Sequence, residues 1–215
     1  MESIKKNYQE VLKDLNGCNL IAVSKSASIE QISFLYELGQ RDFAENKVQD
    51  LELKSSELSK LDIAWHFIGN LQSNKVKKLL AIKNLESIHS VSKMSLVDEL
   101  IKLQCDVKLF LQVNTSGEDQ KSGFKEIAEL EAALIKLVNA KKKIQGLMTI
   151  GAIRSNSFED DAKSCFSKLN RIKEALRAEY FLNHQIELSM GMSQDYKIAL
   201  DYQTDWVRIG SRIFL

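Results

Sequence analysis

Residues 107–150 decide the fold: VKLFLQV (107–113), then IAELEAALIKLV (127–138), then IQGLMTI (144–150). The outer two are apolar runs of strand length. The middle one places Ile127, Leu130, Leu134, Leu137 and Val138 at the three-and-four spacing of an amphipathic helix. Strand, helix and strand in that order make a βαβ unit, which sets its two strands parallel. The same alternation extends in both directions. Candidate strands fall at 20–24, 41–44, 63–68, 85–89, 107–113, 144–150, 185–189 and 206–209. A further helical face between them carries Phe158, Ala162, Phe166, Leu169 and Ile172. Ser28 with Gln31 forms a capping box ahead of one helix, and Asn46 is placed to cap another.

Eight strand–helix repeats in 215 residues sit at the lower size limit of an α/β (β/α)8 TIM barrel, here with an extra helix over 8–15 before the first strand. A doubly wound open sheet is the alternative. No Gly-rich or low-complexity linker divides the chain, so residues 1–215 are expected to form one domain. The barrel reading predicts that functional groups gather at the carboxyl ends of the strands.

Composition narrows the function. Lys and Arg number 30 against 29 Asp and Glu, a net charge of +1, which argues against a nucleic-acid binder that works by basic excess. No apolar run reaches the roughly 18 residues of a membrane helix, and the amino terminus has no apolar signal core, so the expected location is cytoplasmic. Cys18, Cys105 and Cys165 are too far apart for a zinc site and odd in number, which reads as packing. His89 and His184 have no metal partners in the sequence around them, and His66, on an apolar strand, reads as a hydrogen-bonded core histidine.

The chemistry gathers at three strand ends. Lys25 follows the first strand, where its amine lies at the barrel mouth. It can be a plain solvated cation, or a Schiff-base lysine whose amine loses its proton when desolvated. Ser189-Met190-Gly191-Met192-Ser193 is placed after strand seven and Arg208-Ile209-Gly210-Ser211 at strand eight. Each can be an ordinary turn, yet glycine and serine at strands seven and eight of a barrel are suited to phosphate. Closure makes strands one and eight neighbours, so one ligand reaches both the amine and the anion cradle. Pyridoxal phosphate has that shape. Arg208 opposite the pyridine nitrogen would keep that nitrogen unprotonated and weaken the electron sink.

Seven ordered segments carry a resemblance that covers nearly the whole chain: AVSK (22–25), GQRDFAENKVQD (39–50), WHFIGNLQSNK (65–75), NTSGEDQKSGF (114–124), GLMTIG (146–151), LSMGMSQDY (188–196) and VRIGSRIF (207–214). In these the chain resembles the pyridoxal phosphate homeostasis protein family. The resemblance implies a barrel like the amino-terminal domain of alanine racemase, with pyridoxal 5'-phosphate held as an aldimine on Lys25. It implies that Ser189, Gly191, Gly210 and Ser211 lie in or near the phosphate site, that Arg208 faces the ring nitrogen, and that Asn46 and Met148 line the pocket. Ala44 and Lys47 depart from the family pattern, standing where Gly and Tyr are common.

Racemisation needs acid–base groups on both faces of the cofactor. Lys25 serves one, and no Tyr or Cys is evident for the other. The expectation is therefore a monomeric binding protein, not an enzyme, that buffers pyridoxal phosphate and delivers it to apo-enzymes, with no metal. A pyridoxal-phosphate-dependent racemase or lyase, recruiting its second group from segment 116–123 or from a partner, is the alternative. A Schiff-base aldolase is the weakest reading, because strand six ends in Met148, Thr149 and Ile150 without a lysine.

Overall fold

The structure is a computed structural model that describes residues 1–104, 106–118, 120–151, 157–180 and 185–215, with backbone alone at 177–180. Cys105 and His184, and with them the expectations stated for them, lie outside the described residues, as does Asp119 within segment 116–123. The strands are β1 (Asn19–Val23), β2 (Asp42–Glu45), β3 (Ala64–Phe67), β4 (Leu85–Val91), β5 (Lys108–Gln112), β6 (Ile144–Met148), β7 (Glu187–Met192) and β8 (Trp206–Ile209). They close into one barrel in sequence order, every neighbouring pair parallel. The helices among the described residues are α1 (Glu2–Asp14), α2 (Ile29–Glu37), α3 (Val48–Glu57), α4 (Val76–Leu80), α5 (Met94–Lys102), α6 (Ile127–Asn139), α7 (Phe158–Tyr180), α8 (Tyr196–Asp201) and α9 (Ser211–Phe214), with a 3-10 turn at Ser73–Lys75. No described helix is long and apolar enough to cross a membrane.

The main core lies between barrel and helices. Phe43, Trp65, Phe67, Ile88 and Leu109 point outward from their strands and meet Leu51, Leu79, Leu96, Leu134 and Phe166. Inside the barrel the alternate residues meet one another. Ile21, Val23 and Ala44 form a small apolar cluster with Ile68 and Trp206, and the rings of His66, His89, Phe110 and Trp206 contact each other across β3, β4, β5 and β8. His66 is the core histidine expected, with Nδ1 2.6 Å from Ser87 Oγ and Nε2 2.9 Å from Asp42 Oδ1.

Several sequence expectations shift. The first helix begins at Glu2 rather than Tyr8, because Ile4, Tyr8 and Val11 together build its buried stripe. Ile127 and Val138 are 52% and 47% exposed, since the buried face of α6 is set by Leu130, Ala133, Leu134 and Leu137. Ser28 and Gln31 do form the capping box. Asn46 does not cap α3, whose N-cap is Lys47 without a side-chain bond. Residues 189–192 are strand, not loop: β7 shifts register against β8 between Ser189 and Met192, and Gly191 bulges there at φ +93°.

Gly146 is where two strands come closest. A Cβ on it would stand 1.9 Å from the Glu187 carbonyl oxygen of β7. Gly146→Ala is therefore expected to destabilise the barrel by about 3 kcal/mol or more, read as a fall in the thermal midpoint; an unchanged midpoint would refute the tight β6–β7 contact.

Candidate functional site

A cleft of about 620 Å³ opens at the carboxyl end of the barrel. It is lined from β1 by Val23, Lys25 and Ser26, from β2 by Asn46, and from β3 by Ile68, Gly69 and Asn70. On the other flank of β1, the adjoining β8 end adds Arg208, Gly210 and Ser211, and the β7 end adds Met192, Ser193, Gln194 and Asp195. Five of the residues singled out in the sequence thus share one cleft: Lys25, Asn46, Arg208, Gly210 and Ser211. Barrel closure is the cause, since β1 and β8 pair directly from Asn19↔Trp206 to Ala22↔Ile209.

Lys25 and Ser26 are the central residues of a turn closed by Ala27 N donating to Ser24 O at 2.8 Å. The Lys25 side chain is exposed and projects from that turn into the cleft. On the neighbouring β8 loop, the amides of Gly210 (3.2 Å) and Arg212 (3.4 Å) both donate to Ser193 Oγ. An oxygen that accepts two convergent amides occupies the position an anionic phosphate oxygen would take, and the hydroxyls of Ser26 and Ser211 lie on the same lining. Gly210 keeps the loop against β1, because a Cβ there would stand 2.9 Å from Val23 O. Gly69 likewise lets the β2 and β3 ends touch, a Cβ falling 1.9 Å from Asn46 O. One amine, one two-amide anion position and one buried guanidinium fit a phosphorylated aldehyde.

Arg208 is buried, its Nη1 donating to Ser189 Oγ (2.6 Å) and its Nη2 to Thr149 O (2.8 Å). Burial lowers its pKa to about 10, with Asp195 opposing the shift, so it remains charged at neutral pH. Burial in turn raises the pKa of Asp195, against the hydrogen bond it accepts from Met192 N. A guanidinium only donates, so Ser189 Oγ accepts from it and has its own proton free for His89 Nδ1, 2.9 Å away. The His89 proton then sits on Nε2, which has no partner. The ring stacks on Phe110 at 4.1 Å.

Ser189, Gly191 and Met148 do not line the cleft. Ser189 is spent on Arg208 and His89. Gly191 makes room for α8, where a Cβ would stand 2.7 Å from Ala199 Cβ, and Met148 is fully buried on β6. Sequence reasoning found Ser193 but passed over Ser26, Gly69, Asn70 and Asp195. Their signal was position, each lying two or three residues past the end of a strand.

His89 makes stability depend on pH. Burial first, then the nearby His66 and Arg208, push its pKa well below 6.5. The folded chain therefore binds fewer protons than the unfolded one below that pH, so the contribution is complete above about 6.5 and lost as pH falls, at up to about 1.4 kcal/mol per pH unit. Chemical denaturation between pH 5 and 7.5 should show a smaller decline in His89→Gln than in the parent; parallel declines would place a charged His89 in the fold.

Comparison with known proteins adds a family. The model of the alanine racemase N-terminal domain matches residues 1–215. A pyridoxal phosphate homeostasis protein of Schizosaccharomyces pombe is 43% identical over 213 residues, covering 95% of this chain and 87% of its own. The structure of PipY from Synechococcus elongatus, solved with pyridoxal phosphate bound, is 32% identical with a TM-score of 0.88, covering 99% of this chain and 100% of that one. Alanine racemase from Corynebacterium glutamicum shares the fold alone, at 13% identity and a TM-score of 0.79 over 60% of its length. The chain accordingly belongs to the alanine racemase N-terminal domain family and, within it, to the pyridoxal phosphate homeostasis proteins.

Proposed function

We propose that the cleft holds pyridoxal 5'-phosphate, with Lys25 joined to it as a Schiff base, and that the chain buffers and delivers this cofactor in the cytoplasm without turning over a substrate. One observation carries the reading: Lys25 and Gly210 line one cleft from hydrogen-bonded neighbours β1 and β8, and the amides of Gly210 and Arg212 converge on Ser193 Oγ in the same lining. The bound PipY structure supports the choice of ligand. When present, the group supplies an electrophilic aldehyde.

In this reading Gly210 and Arg212 donate their amides to the phosphate, displacing or sharing Ser193 Oγ, while Ser211 adds a hydroxyl donor. Asn46 borders the ring. Arg208 faces the ring nitrogen, held there by Ser189 and Thr149, and its fixed charge keeps that nitrogen from taking a proton. A transaminase wants the opposite, a carboxylate whose charge keeps the ring nitrogen protonated and strengthens the electron sink. Gly191 and Met148 act from behind the lining, one by shaping the β7 bulge and the other by filling the barrel. The relatives' name supports carriage over catalysis. The partners in this reading are the cofactor and, at delivery, pyridoxal-phosphate-dependent apo-enzymes, served by a monomer.

Lys25→Ala is expected to abolish the visible Schiff-base absorption while leaving phosphate-anchored binding, and borohydride reduction followed by peptide mapping should label Lys25 in the parent. Label on another residue would overturn the assignment, and repeated turnover of an amino acid, lost in Lys25→Ala, would replace the carrier with an enzyme. Arg208→Glu should alter the cofactor spectrum by favouring ring-nitrogen protonation; an unchanged spectrum in a folded variant would turn Arg208 away from the ring.

A further inference from the structure

A flexible amine needs a fixed base. Among the described residues Lys25 Nζ has no hydrogen-bond or ion-pair partner, and four rotatable bonds separate it from the backbone. Whatever aims it must act on the turn Ser24–Ala27. That turn is held at both ends. On its far side the Ser28–Gln31 capping box starts α2, with Ser28 N donating to Gln31 Oε1 (2.9 Å) and Gln31 N to Ser28 Oγ (3.3 Å). On its near side every polar atom of fully buried Ser24 is engaged: N donates to Ala44 O (2.9 Å), Oγ donates to Glu45 Oε1 (2.7 Å), and O accepts from Lys54 Nζ (2.7 Å) as well as from Ala27 N.

Lys54 on α3 also pairs with Glu45 Oε1 at 2.8 Å, the carboxylate fully buried and the amine nearly so. Glu45 Oε2 has no partner. Two charges with one oxygen unsatisfied are a poor stabilising device, since an apolar pair of equal volume commonly serves as well. The ion pair is better explained by the carbonyl it holds. The Ser24 carbonyl is the atom that closes the turn carrying Lys25, and the Lys54 ammonium grips that same oxygen from behind the sheet. Neither charged group lines the cleft.

We infer that Glu45 and Lys54 are positioning residues for Lys25: the buried ion pair fixes the Ser24 carbonyl, and with it the direction in which the Lys25 amine enters the cleft. The inference rests on the proposed Schiff base. In that step the neutral Lys25 nitrogen bonds the aldehyde carbon, the carbonyl oxygen leaves as water, and both amine protons depart with it. Misdirecting the amine penalises this step and leaves the amides of Gly210 and Arg212 on the neighbouring β8 loop converging as before.

Two ligands separate the effects: pyridoxal 5'-phosphate, which forms the bond, and pyridoxine 5'-phosphate, whose alcohol cannot. The paired substitution Glu45→Gln with Lys54→Met removes both charges together, and Lys54→Arg keeps the cation. Affinities are measured below each variant's thermal midpoint. The double variant should lose about tenfold in affinity for the aldehyde and stay within about twofold for the alcohol, while Lys54→Arg recovers most of the aldehyde affinity. Equal losses for both ligands, or none for either, would overturn the positioning role. Should the double variant not fold, the same ratio is read in Glu45→Gln, which keeps the Ser24 hydroxyl bond. Equal affinities in the parent, with no reduced adduct on Lys25, would instead sink the Schiff base beneath it.

Discussion

The backbone hydrogen bonds between β1 and β8 are the constraint on which everything else depends. In sequence Lys25 and Arg208 lie at opposite ends of the chain. Pairing Ile21 with Arg208 and Ala22 with Ile209 makes them neighbours, because each strand then needs only a few residues to reach the same mouth. An open doubly wound sheet with the same elements would leave the two strands unpaired and the amine far from the anion position. Parallel closure also aligns all eight carboxyl ends, which is why Asn46, Gly69 and Asp195 reach one cleft from three further strands.

Closure fixes the interior as well. Small barrels are usually filled by layers of branched aliphatic side chains. Here the upper interior holds a guanidinium, a serine and a histidine, with aromatic rings beneath. Burying Arg208 costs desolvation, and the offset comes from two hydrogen bonds to neutral oxygens and from the field of Asp195. The remaining debt appears as an unpartnered His89 Nε2. A core that tolerates these polar groups where aliphatics would pack better marks the place at which stability yields to a charge of defined position.

Much of this was legible in the sequence, and what was not follows a physical pattern. The eight strands and the helical faces were readable because period two and period 3.6 leave marks on contiguous residues. Lys25, Asn46, Arg208, Gly210 and Ser211 were readable because strand ends are. Ser189 and Gly191 were misplaced because a bulge is a local change of register, and glycine in a strand looks like glycine in a loop until the partner strand is known. Asn46 missed its cap because the chain enters α3 one residue later, at Lys47. The Glu45–Lys54 pair was invisible for another reason: charges nine residues apart that bridge a strand and a helix leave no periodic trace, and their meaning lies in a third residue, Ser24, on another strand end 21 residues before Glu45.

The openness of the cleft bears on carriage. An enzyme that labilises bonds on a bound imine excludes water, because water hydrolyses the intermediate and weakens every electrostatic contact in the site. Lys25 instead sits exposed on a turn, and a buried arginine rather than a carboxylate occupies the position proposed to face the ring nitrogen. Those two features act in the same direction. In the proposed carrier the first would let water return the aldehyde to solution, and the second would lower the driving force for side chemistry on any amine that reaches it first. In the proposed carrier a rigid turn beneath an exposed amine would have a clear physical use: it would make capture efficient without making the captured group hard to release.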